Sequence, residues 1–185
     1  MEQPTPAAST NVPITSIGDQ HGLSPGWSAL FAEAAAVCFS SQDHAGIASI
    51  RVYGDEECVV DVIYDEPGEL VVNNHQDENE ATENGACAIS ILLCRLLKGH
   101  AVIEQAVQMD GIDYWVGDAE PGRPMAKKAR LEATGIRAGD VKAVNARFRQ
   151  KLSTTSKSDG DLPAIITVVE FSNPMARLET KPCTQ

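Results

Sequence analysis

Asp113 and Glu132 are the two residues whose type and spacing most readily support chemistry. Gly111-Ile112-Asp113-Tyr114-Trp115 reads as a turn running into one strand, and Ala129-Arg130-Leu131-Glu132-Ala133-Thr134-Gly135 as the next. The nineteen positions between the acids (132 − 113) leave room for two short strands and a connection. Carboxylates on neighbouring strands can share a divalent cation such as Mg²⁺ or Mn²⁺, a hard ion that takes oxygen ligands. A cation so held polarises a phosphoryl oxygen and lowers the pKa of an attacking water. Phosphodiester cleavage is the chemistry such a pair would serve. Because strand side chains alternate between faces, both acids must point to the same face of adjacent strands.

The elements that would position them follow from local signals. Residues 78–97 read as a helix: acids at the start suit the positive end of the helix dipole, and Lys98-Gly99 ends it. From Ala86 onward it is almost wholly apolar, so most of its circumference must be buried. Strands are expected at 101–107, 112–116 and 129–136, with Asp110-Gly111 as a turn and 118–124 as a Gly/Pro loop. Asp140 caps a helix reaching about Leu152, with Val141, Val144, Phe148 and Leu152 on one face. Residues 162–171 form a β-branched run suited to a buried central strand. Upstream, 27–39 reads as a helix started by Ser24-Pro25-Gly26, and 45–53 with 58–64 as a β-hairpin. A short strand is expected at 69–72. The fold class is α/β, a mixed central sheet with a helix-strand-strand-strand-helix-strand core plus an N-terminal helix and β-hairpin. The expected division is a flexible segment at 1–25, an extension at 26–77, the core at 78–175 and a tail at 176–185.

That element order, with one acid on the second strand and one on the third, resembles the PD-(D/E)XK nuclease superfamily, most of all its small resolvase-like members. Gly111-Ile112-Asp113 is similar to the family's second-strand motif. Leu131-Glu132-Ala133-Thr134-Gly135 is similar to the third-strand motif, with Thr134 at the lysine position. Thr82-Glu83-Asn84-Gly85-Ala86 is similar to the pattern of the first helix, with Glu80 an alternative one turn earlier. The resemblance covers roughly residues 78–171. It implies a nuclease acting on DNA or RNA, with Mg²⁺ or Mn²⁺ held by Glu83, Asp113 and Glu132, in a setting such as microbial defence or repair. Threonine brings no charge, so the resemblance requires Lys127, Lys128 or Lys142 to replace the lysine, and Lys142 with Arg149 and Gln150 are the polar candidates on the second helix. The alternative is a non-catalytic interaction module on the same frame.

Charge is unevenly placed. The net −11 would repel a polyanion on average. Residues 43–83 hold twelve acids and one base, whereas 123–151 hold nine bases and two acids. The basic block offers a nucleic-acid surface through Arg123, Lys127, Lys128, Arg130 and Arg149. The acidic block offers a docking surface for a protein partner, and self-association is left open. Five cysteines without paired metal-site spacing read as reduced thiols in a cytoplasmic protein. No apolar run approaches the roughly 18–20 residues of a membrane span, and the first 25 residues lack a signal-peptide layout. Scattered histidines and the absence of Cys-x-x-Cys argue against a structural zinc site, and no Walker A or dinucleotide glycine motif is present.

Overall fold

In the computed structural model, which describes residues 10–19, 22–107, 112–118, 126–155 and 162–183, one eight-stranded sheet organises the chain. The strands are β1 (Thr10–Pro13), β2 (Ile47–Gly54), β3 (Cys58–Ile63), β4 (His100–Gln105), β5 (Tyr114–Asp118), β6 (Lys127–Ile136), β7 (Ala164–Glu170) and β8 (Met175–Lys181). The helices are α1 (Pro25–Ser40), α2 (Glu69–Asn74), α3 (Glu78–Lys98) and α4 (Val141–Thr155), with a 3-10 turn at Ile14–Asp19. The sheet order is β1-β3-β2-β8-β7-β6-β5-β4. It is mixed: β1/β3, β2/β8 and β6/β7 pair in parallel, the others antiparallel. The α/β class and the expected core order are both present.

Local chemistry sets the helix ends. Ser24 accepts from the Trp27 N–H at 3.3 Å with Pro25 in the first turn, and Asp77 accepts from the N–H groups of Asn79 and Glu80 at 2.9 and 3.0 Å. Gly99 closes α3 at φ 67°, a left-handed conformation that suits glycine. Alternation along β7 divides the core. Ile165 and Val169 join the cluster under α1 and α3, while Ile166 and Val168 meet Val144 and Phe148 of α4 on the other side. Among the described residues no helix is long and apolar enough to cross a membrane.

Three expectations are corrected. Residues 69–72 are not a strand but part of α2, which follows Gly68 and buries none of its residues. β propensity in Leu70-Val71-Val72 decides nothing without a neighbouring strand to pair with. The segment expected to be flexible supplies β1 at the sheet edge, and Ile14 and Ile17 of the 3-10 turn are buried. Its prolines signalled disorder, but an edge strand tolerates a proline, and Pro13 is the last residue of β1. Finally, 176–185 is not simply a tail. β8 lies between β2 and β7, burying Met175, Ala176 and Leu178. Glu170 organises the turn into it: fully buried, its carboxylate accepts from the N–H groups of Ser172 and Asn173 at 2.8 Å and of Gly139 at 3.0 Å.

Candidate active site

The antiparallel ladder of β5 and β6 begins at the Tyr114–Leu131 pair, and Asp113 stands one residue before it. The carboxylates of Asp113 and Glu132 lie close enough for the charge of one to act on the other. The Asp113 N–H donates to the Leu131 carbonyl at 2.9 Å. Because β5 begins here, Ala133 to Ile136 extend past it. The Asp113 side chain takes over where the ladder stops, its Oδ2 accepting from the Ala133 N–H at 2.7 Å. Gly135 lets α3 press against this end of β6, since a Cβ there would stand 2.5 Å from the Thr82 carbonyl oxygen. That close approach delivers the next residue, Glu83, to Thr134, whose hydroxyl donates to Glu83 Oε1 at 3.3 Å.

Helix α4 supplies the cations. Lys151 Nζ donates to Glu132 Oε1 at 2.5 Å. One turn earlier Arg147 Nη1 donates to the Thr134 hydroxyl at 3.2 Å and stands 4.0 Å from Glu83. Residues four apart lie on one helix face, so both side chains reach the same place. The site is therefore three carboxylates, one ammonium and one guanidinium, with Glu132 only 5% exposed.

Its electrostatics are those of acids crowded together. Burial first, then the charges of Asp113 and Glu83, push the Glu132 carboxyl up to about 7 against the pull of Lys151. Burial also raises Asp113, opposed by the Ala133 N–H and by Lys151. Glu83 is raised by burial, with Lys151, Thr134 and Arg147 opposing. Burial pulls the Lys151 ammonium down, but Glu132, Asp113 and Glu83 outweigh it and hold its pKa above the ordinary lysine value. Near neutral pH Glu132 is thus poised between holding and releasing a proton. Cys87, beside this cluster, is held protonated by burial and by the neighbouring acids, which leaves it inert.

Carboxylate oxygens are the donors that a hard divalent cation takes. Among the described residues no group of three or more His, Cys, Asp or Glu side chains is arranged to hold an ion as it stands. Magnesium, however, commonly uses one or two carboxylates and completes its shell with water and phosphate. Asp113 and Glu132 are neighbouring carboxylates, with Glu83 bound to Thr134. A cation would also offset the burial that raises all three acids and the repulsion that adds to it at Glu132 and Glu83.

Several expected residues fall elsewhere. Lys142 is exposed, and at about 100° per residue the nine steps to Lys151 place it on the opposite side of α4. Arg130 is buried, its Nε donating to the Leu162 carbonyl at 3.0 Å, so it belongs to the interior and not to a basic surface. Lys127 pairs with Glu104 and lies 4.4 Å over the Trp115 ring, and Lys128 stands 3.7 Å from Asp118. Neither stands in for the missing lysine. Arg149 is exposed, donating to the Asn145 carbonyl at 3.2 Å, and Arg123 lies outside the described residues. Glu80 is exposed in the first turn of α3, one turn from Glu83. The residues missed were Lys151 and Arg147. The signal available was the spacing of Arg147 and Lys151, with Val144, Phe148 and Leu152 fixing which way their side of α4 faces. Comparison of this chain with protein-family models, with curated proteins and with solved structures finds no match.

Proposed function

We propose that this protein hydrolyses phosphodiester bonds in DNA or RNA with Mg²⁺ or Mn²⁺ at the Glu83/Asp113/Glu132 cluster. The observation that carries the reading is the Lys151 ammonium on Glu132, beside Asp113. It provides from α4 the positive charge that Thr134 cannot provide from β6. The bound cation would polarise the phosphoryl group and acidify a water. Lys151 offsets negative charge that develops on the phosphoryl oxygens and orients the water. Thr134 and Arg147 hold Glu83 in place, which fixes the third carboxylate before substrate arrives.

Substrate contact belongs to α4 more than to the start of β6. This helix carries Lys142, Arg147, Arg149 and Lys151 and no acid. Beyond it Asn145 accepts from Arg177 at 2.8 Å and from the Tyr53 hydroxyl at 3.4 Å, linking the helix to Arg51 and Tyr53 on β2. A phosphate backbone crossing α4 would meet cations on both flanks. The second reading, a non-catalytic module, is favoured by Thr134 alone, whose hydroxyl is already committed to Glu83 and Arg147.

Calorimetric titration with Mn²⁺ tests the site. The wild type should bind one ion and release protons near pH 6.5, where Glu132 is still largely protonated. Asp113→Asn with Glu132→Gln should abolish both signals. Unchanged binding by that double variant would place the metal elsewhere.

A further inference from the structure

The strongest feature outside the acid cluster is the surface around α2. Its sequence Glu-Leu-Val-Val-Asn-Asn contains three consecutive apolar residues, yet the helix buries none. Leu70 is 74% exposed. Val71 forms one wall of a groove of about 170 Å³ shared with Ile14 of the 3-10 turn, Ala32 and Ala36 of α1, and Pro67. Glu33, Asp65 and Glu66 stand at its rim, and the Ser40 hydroxyl donates to Glu66 and fixes it there. His75, at the end of α2, is 8% exposed. Its Nε2 lacks a hydrogen-bond partner among the described residues, the Glu33 carboxylate standing 3.7 Å away.

The sign of the surrounding charge decides what such a groove can hold. The first 94 residues contain a single Lys or Arg, Arg51, which lies on β2. α1, the 64–68 connection and α2 together contain no base and four acids, Glu33, Asp65, Glu66 and Glu69. A nucleic-acid strand is repelled here. A cationic segment is attracted by the same field, and apolar side chains on it would cover Leu70 and Val71. Apolar anchors in a pocket ringed by charge complementary to the partner are the usual arrangement of an interface hot spot. We infer that the α1/α2 groove docks a basic segment of a protein partner, with Leu- or Ile-type anchors seated against Val71, Ala32 and Ile14 and Lys or Arg side chains on Glu33, Asp65 and Glu66. This surface is independent of the phosphodiester reading and stands or falls separately from it.

Fluorescence anisotropy with defined peptides tests it. The probe is a short fluorescein-labelled peptide of interleaved Leu and Lys; the controls replace every Leu by Ser or every Lys by Glu. The 185-residue protein should bind the Leu/Lys peptide with an affinity that falls as salt rises, and neither control should match it. Leu70→Ser with Val71→Ser should weaken binding about tenfold, the effect of losing one hot-spot contact. Glu33→Gln with Asp65→Asn should weaken it and flatten the salt dependence. Leu70→Ser alone, at a largely exposed position, keeps the test open should the double variant unfold. Failure of the Leu/Lys peptide to bind, equal binding by the Leu-free polycation, or indifference to Leu70→Ser and the double variant would overturn the proposal. Concentration-dependent self-association abolished by Leu70→Ser would overturn it too, giving the groove to a second copy of this chain.

Discussion

Replacing Glu132 by Gln is expected to stabilise the folded protein above neutral pH, against the direction of most buried substitutions. An acid whose folded pKa exceeds its unfolded value binds more protons when folded throughout the interval between the two. For Glu132 the interval runs from 4.5 to about 7, so stability falls as pH rises through it. At ~1.4 kcal/mol per pH unit, the loss reaches ~3 kcal/mol by pH 8. Glutamine has the shape of the protonated acid and no charge to lose. The attraction of Lys151 is already included in that pKa and does not have to be subtracted again. Glu132→Gln should therefore match the wild type near pH 4 and exceed it by ~3 kcal/mol at pH 8, a Tm gain of about 6–12 °C for a chain of this size. Saturating Mg²⁺ should stabilise the wild type and leave the variant nearly unmoved. Circular dichroism melts from pH 4 to 8.5, with and without Mg²⁺, read this directly. If Glu132→Gln lost the same stability at pH 5 and pH 8, Glu132 would be a structural anchor for Lys151 and the reasoning would be wrong.

Other expectations follow from the same geometry. Lys151→Met should lower single-turnover cleavage by about 10²–10³-fold, the range for removing a transition-state donor, whereas Lys142→Met should leave the chemical step unchanged. Thr134→Lys should bring no gain in activity, because the fully buried Thr134 sits between Glu83 and Arg147; denaturant unfolding should show a loss of ~1–3 kcal/mol from overpacking. Gly135→Ala drives a Cβ to 2.5 Å from the Thr82 carbonyl oxygen. It should cost a similar ~1–3 kcal/mol by denaturant melt and reduce cleavage by shifting Glu83.

The frame of the site was legible because strong periodic signals fixed α3, β6, α4 and β7, and those four elements carry or flank every group in it. Asp113 and Glu132 were identifiable as a pair because hairpin pairing follows from chain order. Lys151 was not, because a helix cation can be assigned only when the roll of the helix on the sheet is known. That roll depends on Val144 and Phe148 packing against Ile166 and Val168. Arg130 misled for a related reason: a guanidinium in a strand looks like surface until the Leu162 carbonyl is seen to meet it. β1 escaped notice because its partner, β3, is distant in sequence, and no local pattern announces that pairing. β8 turns back on β7 after only four residues, but Arg177, Glu179 and Lys181 alternate along it and give it the look of a polar tail. α2 failed in the opposite sense, since Leu70-Val71-Val72 carries strand propensity with no strand beside it to satisfy.

The central claim is most directly tested by cleavage of end-labelled single- and double-stranded DNA and RNA by the 185-residue protein, with Mg²⁺ or Mn²⁺ and with excess chelator. The account predicts metal-dependent cleavage of at least one substrate, stopped by chelator and abolished by Asp113→Asn or Glu132→Gln while nucleic-acid binding persists. Cleavage that survives both substitutions together, or a folded wild type that binds metal yet cuts none of the four substrates, would contradict it.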